Sequence, residues 1–216
     1  MKALFHTLVI GLALASAPAS AAITVVDDGG AQVTLQKPAR RVISMAPHIT
    51  ELLFAAGGGA RIVGAMNFSD YPEAAKKIPL VGSSSQLDME RVIALKPDLL
   101  VVWQTGNTAR QLEQLRSLGI PIFHSEPKKL EQVADSLVRL GQLLGSEAVA
   151  GAAAAEFRAN IARLEVRYSK RPKVRLFYQI WDKPLYTLNG QHIVSDAIRV
   201  CGGRMCSARS RSRRPK

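Results

Sequence analysis

The chain reads as an α/β protein built from a parallel-sheet lobe, a long backbone helix and an incomplete second α/β lobe. Three features predict this. Residues 99–102 are Leu-Leu-Val-Val, apolar at every position, which suits a strand covered by helices on both faces of a parallel sheet. Short runs of this kind alternate with helical stretches between residues 42 and 123, the rhythm of right-handed strand–helix–strand crossovers. Residues 146–170 then contain no proline and are rich in alanine, which favours one continuous helix.

The elements follow in order. Residues 1–21 read as a secretory signal. Lys2 supplies the positive start, residues 4–15 are mostly apolar, and Ala19-Ser20-Ala21 offers small residues for cleavage before Ala22. The apolar run is shorter than the roughly 20 residues that span a bilayer, so an exported chain is expected rather than an anchored one. Residues 23–35 alternate apolar and polar side chains around Asp27-Asp28-Gly29-Gly30, a β-hairpin pattern. A strand over 42–45 leads into a helix over 47–56, with Pro47 in its first turn and Gly57-Gly58-Gly59 ending it. That glycine run lacks the Lys-Ser/Thr ending and the GxGxxG spacing of a phosphate loop. A strand over 62–66 and a loop over 67–72 precede a helix over 88–95, for which Asp88 is the expected cap. Pro97 closes that helix, Asp98 opens the strand over 99–103, and Trp103 falls at its carboxyl end, where open α/β sheets hold their ligands. A helix over 109–118, closed by Gly119, and a strand over 120–123 complete a Rossmann-like lobe spanning residues 22–127.

Residues 128–171 form a helical region. Leu130, Val133, Ala134, Leu137, Leu140 and Leu144 share one helical face. The alanine-rich stretch after them would extend about 37 Å and bridge to a second lobe, because a strand over 174–180 starts just beyond Pro172. Residues 172–203 supply one or two strands and a helix over 194–200. That is too little to bury a core alone. From Arg204 the chain runs RMCSARSRSRRPK, with five Arg, one Lys and no acid, against a net charge of +12 for the whole. Residues 204–216 are expected to be an aberrant, disordered tail, as a frameshift or truncation would leave.

Function is bounded mainly by exclusion. HExxH, GxSxG and phosphate-loop motifs are absent, and His48, His124 and His192 are scattered without ligand spacing. No enzyme and no protein-held metal site are expected. Cys201 and Cys206 lack the nearby histidines of a zinc site, and an exported chain permits but does not specify a disulfide. A nucleic-acid module resting on the arginine tail is the reading from another class, since clustered Arg neutralises phosphate. No aromatic residue interleaves those arginines for base stacking, and export opposes the idea, so no nucleic-acid partner is expected.

Four segments carry a resemblance: RVISMAPHITE from Arg41 to Glu51, SDYP from Ser69 to Pro72, the block from Glu90 to Trp103, and VCGG from Val200 to Gly203. Together they resemble the periplasmic cobalamin-binding proteins of ABC importers, and more broadly the cobalamin and iron-siderophore binders with two lobes on one backbone helix. The likeness covers about residues 40–203. Members of this family continue well beyond the Cys-Gly-Gly segment, and this chain departs from them at Arg204. The resemblance implies a monomer that holds a corrinoid between its lobes and delivers it to an ABC permease in the inner membrane, with no resident cofactor. Carried over by position, His48 falls where the family has a small contact residue, Phe68 replaces a family tyrosine, and Trp103 matches a family tryptophan. Ser84 stands where the cobalamin binder has another tryptophan, and Trp181 and Tyr186 are the second-lobe contacts. Glu90 matches a glutamate that pairs with permease arginines. The same scaffold serves iron-siderophore and haem binders. Arginines lining the cleft would favour an anionic siderophore, and aromatics a corrinoid. A chain with part of the second lobe is expected to bind more weakly than a complete one.

Overall fold

The computed structural model describes residues 21–206, so the expected signal segment and most of the arginine-rich tail lie outside the described residues. β1 (Ile23–Val26) and β2 (Gln32–Leu35) pair antiparallel, with Val25, Val33 and Leu35 turned into the core. The hairpin turn is also a fastener. Asp27 Oδ2 lies 2.7 Å from His124 Nδ1, and Asp28 Oδ2 accepts from the Glu126 N–H at 2.6 Å.

Five parallel strands form the central sheet: β3 (Val42–Ser44), β4 (Ile62–Met66), β5 (Leu80–Gly82), β6 (Leu99–Trp103) and β7 (Ile122–Ser125), in spatial order β5-β4-β3-β6-β7. Because side chains alternate faces along a strand, β6 must satisfy two cores at once. Leu99 and Val101 join one core with Val42 and Phe123, while Leu100 and Val102 join the other with Ile43 and Met66. That is the physical reason for the unbroken apolar run. α1 (Pro47–Ala55), α4 (Leu130–Leu144) and the first half of α5 (Glu147–Ser169) cover the first face, and α2 (Met89–Ala94) and α3 (Ala109–Arg116) cover the second. The Asp88 side chain accepts from the Arg91 N–H at 2.9 Å as the expected cap, and Thr108 with Gln111 forms a capping box on α3. The two family-like segments interlock: Asp98 accepts from the main-chain N–H groups of Arg40 and Arg41, each at 2.9 Å, and the Arg41 guanidinium donates to the Leu95 carbonyl at 2.6 Å.

Two elements of this lobe had no counterpart in the sequence reading, and one strand starts later than expected. A short 3-10 turn (Glu73–Lys77) and strand β5 lie between the loop over 67–72 and the helix over 88–95, where no element was read. β5 is three residues long with only Val81 buried, so it carries no readable period. The last strand starts at Ile122 rather than residue 120, because Pro121 has no N–H to give the ladder and contributes only its carbonyl, to Leu100 N.

α5 is 23 residues long, about 35 Å. Ala150 and Ala154 are buried against α4, and a side chain at Gly141 of α4 would overlap Ala150, so small residues let these two helices approach closely. The far end of α5 reaches a second unit made of β8 (Val174–Leu176), β9 (Gln179–Trp181), β10 (Tyr186–Thr187), α6 (Ile193–Val200) and β11 (Gly203–Met205). β8 and β11 pair in parallel across α6, and β9 and β10 form a small antiparallel ribbon. The single strand expected over 174–180 is therefore two. The expectation of a disordered tail from Arg204 fails for its first residues: Arg204 lies opposite Arg175 and Met205 opposite Leu176 in the β8–β11 ladder. Main-chain hydrogen bonds hold this ladder, and they are indifferent to side-chain charge. Among the described residues of this unit only Val200 is a buried apolar side chain, as the short length predicts.

Candidate ligand-binding cleft

The sheet order places β3 centrally, with β4 to one side and β6 to the other. The crevice beyond the carboxyl ends of β3 and β6 is thus the topological switch point, the position where open α/β sheets take ligands. His48, in the first turn of α1 after β3, and Trp103, at the end of β6, meet there edge to face, with ring centroids 5.2 Å apart and planes at 85°.

Several residues set this pair in place. Asn107 Oδ1 accepts from the Trp103 N–H at 2.9 Å, and its Nδ2 donates to the Met45 carbonyl at 3.2 Å. One side chain therefore clamps the ends of both central strands. A side chain at Gly106 would overlap the Trp103 indole, so the ring lies directly over bare backbone. Thr50 Oγ1 lies 2.8 Å from Ser44 Oγ and 3.0 Å from Ser69 Oγ, a buried hydroxyl cluster that ties α1 to the SDYP loop. Glu126, held at its N–H by Asp28, accepts from the Thr105 N–H at 3.0 Å and from its hydroxyl at 2.9 Å.

A cavity of about 530 Å³ opens on this pair, within the range of small-molecule sites. α1 contributes His48, Glu51 and Leu52, α4 contributes Val133 and Leu137, and α5 contributes Phe157. Tyr71, Trp103, Thr105 and Glu126 come from loops at the strand ends, and His192 and Ile193 reach in from the second unit. The wall is mainly apolar, with two carboxylates and two imidazoles. No lysine or arginine lines it among the described residues. Burial lowers the pKa of His48 below the ordinary imidazole value, against the opposing pull of the Glu126 charge. His192 Nδ1 accepts from the Val194 N–H at 3.2 Å, which puts that ring's proton on Nε2.

Of the residues singled out from sequence, the cavity brings together His48 and Trp103. Phe68 stands 83% exposed outside it with a left-handed backbone (φ 68°), and Tyr71, three residues on, lines the wall instead. Ser84 is exposed in the loop after β5. Trp181 and Tyr186 face each other across the β9–β10 ribbon, both exposed and outside the cavity. Glu90 is exposed in the first turn of α2, beside a polar depression with Asn67, Ser83 and Asp88. Sequence reasoning missed Phe157, although it follows closely on the alanine run of α5, and missed His192 and Glu126, whose neighbours carry no pattern.

The family model described as periplasmic binding protein matches residues 42–215. The chain is 40% identical over 172 residues to the vitamin B12-binding protein of Vibrio vulnificus (strain CMCP6), covering 79% of this chain and 63% of that one. It is 43% identical over 173 residues to the vitamin B12-binding protein of Yersinia pestis (strain Pestoides F), covering 80% and 62%. Among solved structures it resembles the periplasmic vitamin B12 binding protein BtuF of Vibrio cholerae, with a TM-score of 0.74 and 37% identity over 81% of this chain and 68% of that one. The periplasmic heme-binding protein RhuT from Roseiflexus sp. RS-1 matches with a TM-score of 0.63 and 28% identity, covering 76% and 64%. The chain therefore spans somewhat over three-fifths of the length of these curated relatives.

Proposed function

Since the chain belongs to the periplasmic binding protein family, we propose that it captures a corrinoid in the cleft between its two units and hands it to an ABC permease. The observation that carries this reading is the chemistry of the cavity wall. Haem and most ferric siderophores bring carboxylates or other anionic groups that call for cationic partners. This wall offers apolar and aromatic surface with Glu51 and Glu126, and no lysine or arginine among the described residues. A corrin, with broad apolar faces, an amide rim and a cationic metal, suits that lining. The vitamin B12-binding relatives support the same choice over the haem-binding ones, being the more similar in sequence.

His48 and Trp103 would make the central contacts, with Tyr71 and Phe157 closing the sides and His192 donating to the amide rim from the second unit. The corrinoid is cargo, the chain needs no cofactor of its own, and no reaction follows binding. Delivery to a permease implies a periplasmic location. The exposed Glu90 makes no ion pair among the described residues, which leaves it free to meet a permease arginine. Such an exposed pair is worth at most about 1 kcal/mol, enough to set encounter and register more than affinity. Glu90→Arg is therefore expected to slow uptake in a transport assay and leave cyanocobalamin affinity unchanged. A loss of affinity instead would place Glu90 in the ligand site.

The decisive experiment is a calorimetric titration of the purified chain with cyanocobalamin, haem and a ferric siderophore. Binding of cyanocobalamin alone, or at least about tenfold tighter than the others, is the expected result. Preference for either iron compound would overturn the corrinoid assignment and retain the fold.

A further inference from the structure

We propose that His48 supplies an axial ligand to the cobalt of the bound corrinoid. The inference rests on the corrinoid reading above and adds a metal contact to it. Among the residues lining the cavity, His48 has the position and the free lone pair that such a contact needs. It sits at the switch point of the sheet, half-buried, with its ring held edge-on by Trp103 at 5.2 Å. Its ring takes part in no side-chain hydrogen bond among the described residues, so neither ring nitrogen of this cavity-lining residue is committed. The surroundings keep the ring neutral, so one of its two nitrogens offers a lone pair. Burial disfavours the imidazolium, and the positive end of the α1 dipole opposes a cation in the first turn. Neutral imidazole is a strong ligand for late first-row transition metals.

The other polar groups in the wall are less suited. His192 accepts a main-chain N–H through Nδ1, so its remaining nitrogen carries a proton and offers a donor rather than a lone pair. Glu126 is engaged by Thr105 through both of its oxygens. Glu51 lines the wall as well, but as an oxygen donor it would leave the cobalt spectrum close to that of the aqua complex.

The step is a ligand substitution. The Co–O bond to an axial water breaks, and a Co–N bond forms from the imidazole lone pair. The water leaves to solvent, the cobalt stays Co(III), and no proton is released. Four equatorial nitrogens arrive with the corrin, so a single protein nitrogen suffices where it could not hold a bare ion.

The test uses aquacobalamin, whose axial water exchanges, beside cyanocobalamin, whose cyanide blocks the position. On addition of the purified chain, the near-ultraviolet and visible bands of aquacobalamin are expected to move to those of its imidazole adduct made in free solution. The bands of cyanocobalamin should stay in place although calorimetry records binding. Aquacobalamin should also bind at least about tenfold tighter than cyanocobalamin. His48→Gln, checked for folding by circular dichroism, should abolish the band shift and that preference, whereas His192→Ala at saturating ligand should retain the shift. Bound aquacobalamin with unmoved bands, or an equal shift with His48→Gln, overturns axial ligation and leaves the corrinoid reading standing. Absence of binding to either corrinoid overturns both.

Discussion

An added methyl group at Gly106 would overlap the indole of Trp103, so the pose of the central aromatic depends on a residue with no side chain. Gly106→Ala is expected to push Trp103 off the backbone and away from His48. The cost should appear as at least a tenfold loss of cyanocobalamin affinity, about 1.4 kcal/mol, together with a change in tryptophan emission. The melting temperature should move little, because Gly106 lies outside both apolar cores. Unchanged emission and affinity would show that the indole does not need that pose. Trp103 itself was legible in the sequence because it ends an apolar strand. Gly106 and Asn107 were not, since their roles depend on what they meet in space. Asn107 reaches the Met45 carbonyl 62 residues away in sequence, and no local pattern encodes that partner. Phe68 and Tyr71 show the same limit. Resemblance pointed to the first, but the backbone turn at Phe68 leaves its ring exposed and Tyr71 faces the cavity.

At the level of elements, the second unit is joined to the first through α6 by a small polar cluster. Asp196 Oδ2 accepts from the Leu130 N–H at 3.0 Å, so a residue of α6 caps the start of α4. Arg199 pairs with Asp196 at 3.0 Å and with Glu165 of α5 at 3.1 Å. Burial pulls the Asp196 pKa upward, but the Leu130 N–H and the Arg199 guanidinium outweigh it and hold the carboxyl below its ordinary value. A carboxyl with a depressed folded pKa adds stability above its unfolded pKa of about 3.9, and loses it as pH falls through the folded value. Asp196→Asn keeps an oxygen to accept from Leu130 but removes the charge that pairs with Arg199, so it should lower stability at neutral pH by at most about 1 kcal/mol. The gap between variant and parent should close as pH falls through the depressed folded pKa of Asp196. Melting curves measured across that range decide it, and a gap that persists in acid would assign the effect to packing. Helices of this size were readable from periodicity, and α4 and α5 fall close to where it puts them. β5 and β11 were not, because these three-residue strands show no period and owe their existence to a neighbouring ladder, and the strand read over 174–180 concealed the break between β8 and β9.

Across the whole molecule, stability is distributed unevenly. The first lobe carries two apolar cores, one on each face of a five-stranded sheet. The second unit buries Val200 and leaves Val174, Ile180, Trp181 and Tyr186 half or more exposed. Opening free energies should follow the same division, because local unfolding is easiest where few apolar contacts must be given up. In hydrogen exchange, amides of β3 and β6 are expected to exchange only through global unfolding, and those of β8, α6 and β11 at least about a hundredfold faster, a difference of roughly 2.7 kcal/mol or more. Cyanocobalamin should then slow exchange selectively in two places: the loop from Trp103 to Asn107 in the first lobe, and the start of α6 at His192 and Ile193. These segments contribute to the cavity from opposite sides. Ligand that bridges them would draw the weaker unit toward the stability of the stronger one, since binding to the folded form alone adds its free energy to folding. Protection confined to the first lobe would mean that the corrinoid rests on the switch point without engaging His192, and the cleft would then work as a one-sided platform.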